Sequence, residues 1–453
     1  MADSIPIRNR DDEGCDEVFR PPVPRTGSLG TILEASTVRF LFNTVFYKPA
    51  RGGGGPIYSV SALAEELVRC GHEVTVAASD LDIPGRLDVC CGREYEIEGV
   101  RVNYFRARPT MLQRTGLPMF AKASVFSHGP EFGRWLALEG PGFDVIDSQI
   151  SFTCSNGACS RLARRCGKVY LYHQRGDLDP IRLRRHGRFK KAVYVALVEK
   201  PIMRRADALI ALTRREVESF RIVGLTNRIA VIPNGIDAVS FQRENLQTSP
   251  DTARLLKNLG DGPVFLWMSR VHALKGPDIF VDAFIRAAPK SPGAHAIMAG
   301  PDEVALMPEL LARVDAAGLA ERFHYTGVAH GDDKAALFRR ADCFVLPTEA
   351  EGFAMVLLEA MAHGCAVLTT QGAYFDEIQS VGAGKILGRT AADFAEGIVQ
   401  MAAIGRKGMR ELGLKGLDLV QKSYSWTRIG KEYESLCREL MGARPAKAGV
   451  NQR

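Results

Sequence analysis

The stretch Pro347–Thr370, PTEAEGFAMVLLEAMAHGCAVLTT, most constrains how this chain can fold. The apolar run before it, Ala341–Leu346, has the length of a buried strand, and Pro347-Thr348 ends it. From Phe353 to His363 the apolar residues Phe353, Val356, Leu357, Ala360 and Met361 recur at helical spacing. Gly364 is placed to cap that helix, and Cys365–Leu368 reads as the next strand. The pattern predicts an αβ unit whose helix starts at the carboxyl end of a strand, where open α/β sheets bind ligands.

Two carboxylates stand in this unit, Glu351 and Glu359. Eight residues of helix rise roughly 12 Å over about two and a quarter turns, so both can face one cleft. The predicted helix start near Gly352-Phe353 offers free amides and a positive dipole end to an anion. A ligand with phosphate in its middle and hydroxylated rings at both ends suits that layout, and a nucleotide-sugar has that shape. The plain alternative is a helix with two solvated glutamates. It fits poorly for Glu359, which lies inside MVLLEAMA and would need a partner if buried. A glycosidase pair is disfavoured, because its carboxyls sit roughly 5–9.5 Å apart.

Upstream, VFLWM (Val264–Met268) reads as a strand and the segment from Pro277 as a helix, with SRVHALKG between them. Arg270 and Lys275 in that turn could clamp a diphosphate and offset the charge that grows on a leaving nucleotide. The first half opens in the same style. TVRFLFNTVF is a buried strand, YKPARGGGG a glycine-rich turn, Pro56–Cys70 a helix and HEVTVAA a strand. Gly54 and Gly55 in that turn would let backbone approach a phosphate or sugar closely, although a floppy loop reads equally well. VYLYH ends at His173, either a loop histidine or part of a polar site at the sheet mouth.

Together EAEGFAMVLLEAMAHGCAV, the Arg270/Lys275 turn, the glycine loop and the IPNGID junction resemble retaining glycosyltransferases of family 4, with the GT-B fold. Ala354 departs from the usual E-G-F-G. The resemblance covers roughly residues 37–441 and implies two Rossmann-like, doubly wound α/β domains facing a central cleft. It further implies transfer of a sugar from a nucleotide-sugar donor to an acceptor hydroxyl, with retention and normally without a metal. In that family Glu359 would hold the ribose and Glu351 the sugar hydroxyls. The backbone of Gly352, Phe353, Ala354 and Met355 would help at the phosphates, with Arg270 and Lys275. The glycine loop would reach donor phosphates and acceptor, and His173 would contact the transferred sugar or the acceptor. No protein nucleophile is evident, and the family's usual proposal is a front-face mechanism in which the leaving phosphate takes the acceptor proton.

The expected organisation is a flexible tail over 1–35 and an N-terminal acceptor domain over 36–240. A nucleotide-sugar domain follows over 241–424, then a segment 425–441 that crosses back and a frayed end over 442–453. Net charge is −3 over 1–35, +10 over 36–240 and zero over the remainder, so the positive excess sits in the first half. Six cations fall between Arg182 and Lys191, followed by the apolar AVYVALVE. A solvated basic face is one reading. The other is contact with an anionic, lipid-linked acceptor or a membrane surface. Nucleic acid is not expected, since the basic stretch lacks interleaved aromatics.

No run of 18 apolar residues and no secretory pattern is present, which predicts a cytoplasmic protein, peripheral on the membrane's inner face if the basic stretch binds it. The ten cysteines show neither a disulfide nor a zinc spacing. Asp80-Leu81-Asp82 and Asp177-Leu178-Asp179 resemble a metal-binding Asp-X-Asp, but neither directly follows an apolar strand. Surface polysaccharide or glycolipid assembly is the first functional expectation. Transfer to a soluble sugar or small molecule is the second, and a nucleotide-binding protein that has lost transfer the third.

Overall fold

In the computed structural model, residues 8–9, 37–52, 54–83, 85–109, 126–180, 188–237 and 245–444 are described. Two parallel-centred sheets carry the fold. The first contains β1 (Arg8–Asn9), β2 (Arg39–Asn43), β3 (Glu73–Ser79), β4 (Glu94–Ile97), β5 (Val100–Phe105), β6 (Val145–Ser148), β7 (Val169–His173), β8 (Ala208–Ala211) and β9 (Ile229–Val231). Their spatial order is β1-β4-β5-β3-β2-β6-β7-β8-β9. From β5 to β9 every pair is parallel, while β4 and β1 add an antiparallel edge.

The second sheet contains β10 (Val264–Met268), β11 (His295–Ala299), β12 (Phe323–Tyr325), β13 (Cys343–Leu346), β14 (Ala366–Thr370) and β15 (Gly384–Leu387), in the order β12-β11-β10-β13-β14-β15. All its pairs are parallel. Both sheets are therefore doubly wound. The strand order reverses between β2 and β6 in the first and between β10 and β13 in the second. At such points neighbouring loops leave in opposite directions and open a crevice.

The strands are nearly continuous apolar runs because both faces are covered. Every residue of β10, β13 and β14 is buried. Helix α1 (Gly55–Arg69) follows the glycine turn, with Pro56 in its first turn where no amide is needed. Gly54 has φ 68° and ψ −147°, a conformation that essentially only glycine tolerates. Helix α2 (Pro277–Ala287) packs on α3 (Ala391–Ser423). The sequence predicts two helices here, Phe394–Ile404 and Gly408–Lys422, and α3 is two helices that meet at a kink at Gly405, whose φ 68° and ψ 176° are not helical.

The last helix, α4 (Trp426–Gly442), packs against α1, and its buried residues Trp426, Ile429, Tyr433, Leu436 and Cys437 belong to the core of the first sheet. Their three-and-four spacing is an amphipathic stripe. Where the chain crosses between sheets, Ile236 N donates to Tyr424 O at 2.7 Å. A Cβ on Gly235 would lie 2.8 Å from the Trp426 ring, so the two crossing strands of chain run side by side because Gly235 has no side chain. Apart from Arg8–Asn9, the tail expected over 1–35 lies outside the described residues, as do 181–187 of the basic stretch and 445–453 of the frayed end.

Candidate active site

The carboxyl ends of β10, β13 and β14 meet at the second reversal point, and their loops interlock. Glu349 N donates to Leu274 O at 2.7 Å, and Glu351 N donates to Gly372 O at 2.9 Å. Gly276, at φ 62°, lies so close to Pro347 that a Cβ would sit 2.4 Å from its carbonyl oxygen. Arg389 ties the set together by donating to Pro347 O at 3.1 Å and Ala273 O at 2.8 Å. Three loops held by backbone contacts make a stiff cradle.

Glu351 is 6% exposed inside it. Lys275 Nζ lies 2.5 and 2.6 Å from its two oxygens, and Thr348 Oγ1 donates to Oε1 at 2.8 Å. The carboxylate keeps further lone pairs and the ammonium a third donor, so the pair can accept from hydroxyls on one side and donate to phosphate on the other. Glu359 pairs instead with Lys334 at 2.7 Å, the partner that a glutamate in an apolar run requires. Arg270 is 62% exposed at its side chain and pairs with Glu303 at 3.3 Å. It does not share the carboxylate that Lys275 holds.

The helix carrying Glu359 runs Met355–Ala362, so it starts two residues later than the apolar spacing predicts. Ala354 is its N-cap, and Gly352 and Phe353 belong to the turn before it. The reason is tertiary. Phe353 packs on Phe375 and Tyr424, with ring centroids 5.8 and 6.4 Å away. Gly352 lies against the other domain, where a Cβ would be 3.1 Å from Arg175 O and from Gly176 Cα. The first helical amides are therefore those of Met355 onward.

Across the cleft, the first reversal point presents its own polar cluster. His173 is buried, and its Nε2 lies 3.0 Å from Asp147 Oδ2. Burial pushes the imidazolium below its ordinary pKa range, against the pull of Asp147. Arg175 is held at φ 48° and donates to Gln149 O at 2.8 Å, Ser59 Oγ at 2.9 Å and Asn234 Oδ1 at 3.2 Å. Burial lowers its pKa to about 10. Tyr374, also left-handed at φ 54°, reaches over from the second domain. Its hydroxyl donates to Asp179 Oδ2 at 3.4 Å, and the Arg215 guanidinium stands 5.6 Å from its ring centre.

The glycine turn sits at the same mouth. Asp82 Oδ1 accepts from the amides of Arg51 and Gly52, at 2.8 and 2.7 Å, and Gly55 opens α1. Both carboxylate oxygens of Asp80 accept from Arg86 Nη1 at 2.6 Å. Of the Asp-X-Asp residues, Asp82 thus braces the glycine turn, while Asp80 holds Arg86 and the Ala107 amide.

Two family models match, one described as a glycosyl transferase 4-like domain over 54–235 and one as glycosyl transferases group 1 over 262–403. The lipopolysaccharide core biosynthesis mannosyltransferase LpsB of Rhizobium meliloti is 32% identical over 252 residues, 53% of this chain and 68% of the relative. The chain belongs to the group 1 glycosyltransferases of family 4. It is an enzyme of the transferase class.

A D-inositol 3-phosphate glycosyltransferase of Actinosynnema mirum matches this glycosyltransferase at 25% identity over 396 residues, 83% of the chain and 89% of the relative. Among solved structures, sucrose-phosphate synthase of Thermosynechococcus elongatus superposes with a TM-score of 0.68 at 20% identity, covering 90% of this chain and all of that one. The Anabaena protein HepE in complex with UDP and glucose gives 0.65 at 17% identity, covering 89% and 100%. At those identities the structures establish the GT-B fold.

Sequence reasoning gave no site role to Thr348, Lys334, Asp147, Gln149, Arg175, Tyr374 or Tyr433. Buried polar residues at strand ends are a usable signal for Asp147 and Gln149, which close the run FDVIDSQ. For Arg175 and Tyr374 the signal is a left-handed backbone, which composition does not display.

Proposed function

We propose that this glycosyltransferase moves a sugar from a nucleotide-sugar to an acceptor hydroxyl with retention of configuration, in surface polysaccharide or glycolipid assembly. The Lys275–Glu351–Thr348 cluster at the reversal point, with Glu359 on the helix that follows, carries this reading. Glu359 takes the ribose hydroxyls and Glu351 the sugar hydroxyls. Lys275 and the exposed Arg270 take the phosphates, helped by backbone from Gly352 to Met355. As the glycosidic bond breaks, charge grows on the diphosphate, and fixed cations lower the barrier because they need no reorganisation. No metal is required in this scheme; EDTA should leave turnover unchanged. His173 and the Gly54-Gly55 turn face the sugar and the acceptor.

The nucleotide is proposed to be UDP, GDP or ADP. Release of free nucleotide from a panel of UDP-, GDP- and ADP-sugars, with Glu359→Ala alongside, tests the site. Turnover of one donor, abolished in the variant, is the expected result. No binding and no turnover of any donor would sink the assignment.

A lipid-linked, anionic acceptor at the inner membrane face is supported by the charge of the first half and by one surface. Val193, Leu197 and Val198 are exposed on the helical segment that follows the basic stretch, Leu197 at 72%. No helix among the described residues is long and apolar enough to cross a membrane. Vesicles of anionic lipid should bind the wild type and lose Arg184→Gln/Arg185→Gln/Lys190→Gln/Lys191→Gln. A second reading, a soluble phosphorylated acceptor, is supported by two similar proteins, a D-inositol 3-phosphate glycosyltransferase and a mannosylfructose-phosphate synthase. Transfer to soluble sugar phosphates without vesicles would select it.

A further inference from the structure

Asp147 is wholly buried at the end of β6, and one of its oxygens collects three contacts. Gln149 Nε2 donates to Oδ2 at 2.8 Å, Tyr433 Oη donates to it at 2.5 Å, and His173 Nε2 lies 3.0 Å away. Tyr433 comes from α4, 286 residues further along the chain, and its ring also leans on the His173 ring at 6.5 Å between centroids. Tyr433 is itself wholly buried.

The proton arrangement follows from donor and acceptor chemistry. An ionised carboxylate only accepts, so His173 Nε2 must carry the proton. In the neutral imidazole the lone pair then sits on Nδ1. Nδ1 is buried and has no hydrogen-bond partner among the described residues. A buried acceptor left without a partner is costly, and such atoms in a native protein call for an explanation. His173 ends the strand two residues before Arg175, which touches Gly352 of the donor loop.

We infer that Asp147 and Tyr433 are positioning residues that fix His173 as the Nε2–H tautomer and present Nδ1 as an acceptor to a hydroxyl of the transferred sugar or the acceptor. This rests on the reading of His173 as a substrate contact. It adds a function for the crossing helix, which delivers to the first domain the hydroxyl that orients its histidine. The groups facing His173 are Asp147 on β6, Tyr433 on α4 and Arg175 beyond β7. Arg175 and burial disfavour the imidazolium, and Asp147 favours it. Removing the Tyr433 hydroxyl leaves more of the carboxylate's charge for His173, so the imidazolium becomes easier to form.

The test is ring-nitrogen NMR of the full chain labelled at histidine, with His173→Gln assigning the signal among nine histidines. The wild type should show a single Nε2–H tautomer. Tyr433→Phe should raise the His173 pKa by about half a unit to one unit, part of the strength of one hydrogen bond to a charged acceptor. Should that variant fail to fold, Gln149→Leu removes a second donor from the same oxygen and should move the pKa the same way. Asp147→Asn should mix the tautomers and lower kcat for nucleotide release from UDP-glucose, or from whichever panel donor turns over, by about tenfold or more, with KM changed less than about twofold. An Nδ1–H tautomer in the wild type, or an unmoved pKa in both donor-removal variants, would overturn the inference. Full activity of His173→Gln, with the NMR shifts as expected, would instead overturn the reading of His173 as a substrate contact.

Discussion

Lys275 Nζ sits within 2.6 Å of both oxygens of Glu351, and neither side chain is more than 14% exposed. The pair joins the loop after β10 to the loop after β13, so the cradle is held by the same charges proposed to handle the donor. Lys275→Ala would leave Glu351 buried with Thr348 as its hydrogen-bonding partner. Loss of about 2–4 kcal/mol is expected in denaturant unfolding, because the stranded charge loses its counterion. Glu351→Gln combined with Lys275→Met should recover most of that stability and none of the turnover. Recovery of turnover in the double variant would remove the pair from the mechanism.

Gly276 combines a left-handed backbone with a neighbour that leaves no room. A Cβ there meets the Pro347 carbonyl at 2.4 Å. Gly276→Ala should cost about 1–3 kcal/mol through strain and a displaced loop. Nucleotide affinity, read by calorimetry, should fall with it, since Lys275 is the preceding residue. A variant that melts and binds like the wild type would show that the interlock does not shape the donor site.

Tyr374 bridges the cleft to Asp179 and Arg215. Tyr374→Ala removes both contacts at a surface of the second domain and should favour a more open cleft. Small-angle scattering should report a larger radius of gyration, and the donor KM should rise by about three- to tenfold, the scale of one hydrogen bond plus one cation–π contact. Tyr374→Phe should fall between, because it keeps the ring under Arg215. Identical scattering for all three proteins would dismiss the bridge.

Glu199 is wholly buried, accepts from Phe152 N at 2.9 Å and from the Tyr172 hydroxyl, and has a pKa raised to about 7 by burial. Its folded-state pKa lies above its unfolded one, so folding is favoured by protonation. That contribution is complete below the unfolded carboxyl range and is lost as pH rises through about 7. Glu199→Gln should therefore flatten the fall in stability between pH 5 and pH 8 by up to about 3 kcal/mol. Glu216, raised to about 7 by the same cause, leaves a residual slope. An unchanged slope would mean that Glu199 titrates normally.

What the sequence determined by itself was local. The alternation of apolar strands with glycine- and proline-bounded helices specified α/β units, because each strand and helix announces its period within its own residues, and two doubly wound domains followed from the resemblance to the family. Glu351 and Lys275 were visible from their place in the turns after strands, and Glu359 from its place inside an apolar helix. The tertiary structure decided what depends on distant chain. Met355 rather than Phe353 starts the helix because Phe353 is drawn onto Phe375 and Gly352 abuts Arg175. Glu359 takes Lys334 and Arg270 takes Glu303, choices among many oppositely charged partners that only packing resolves. Tyr433 reaches Asp147 across 286 residues, and no period or motif in one segment records a hydrogen bond whose two ends are brought together by the crossing of α4 onto the first sheet.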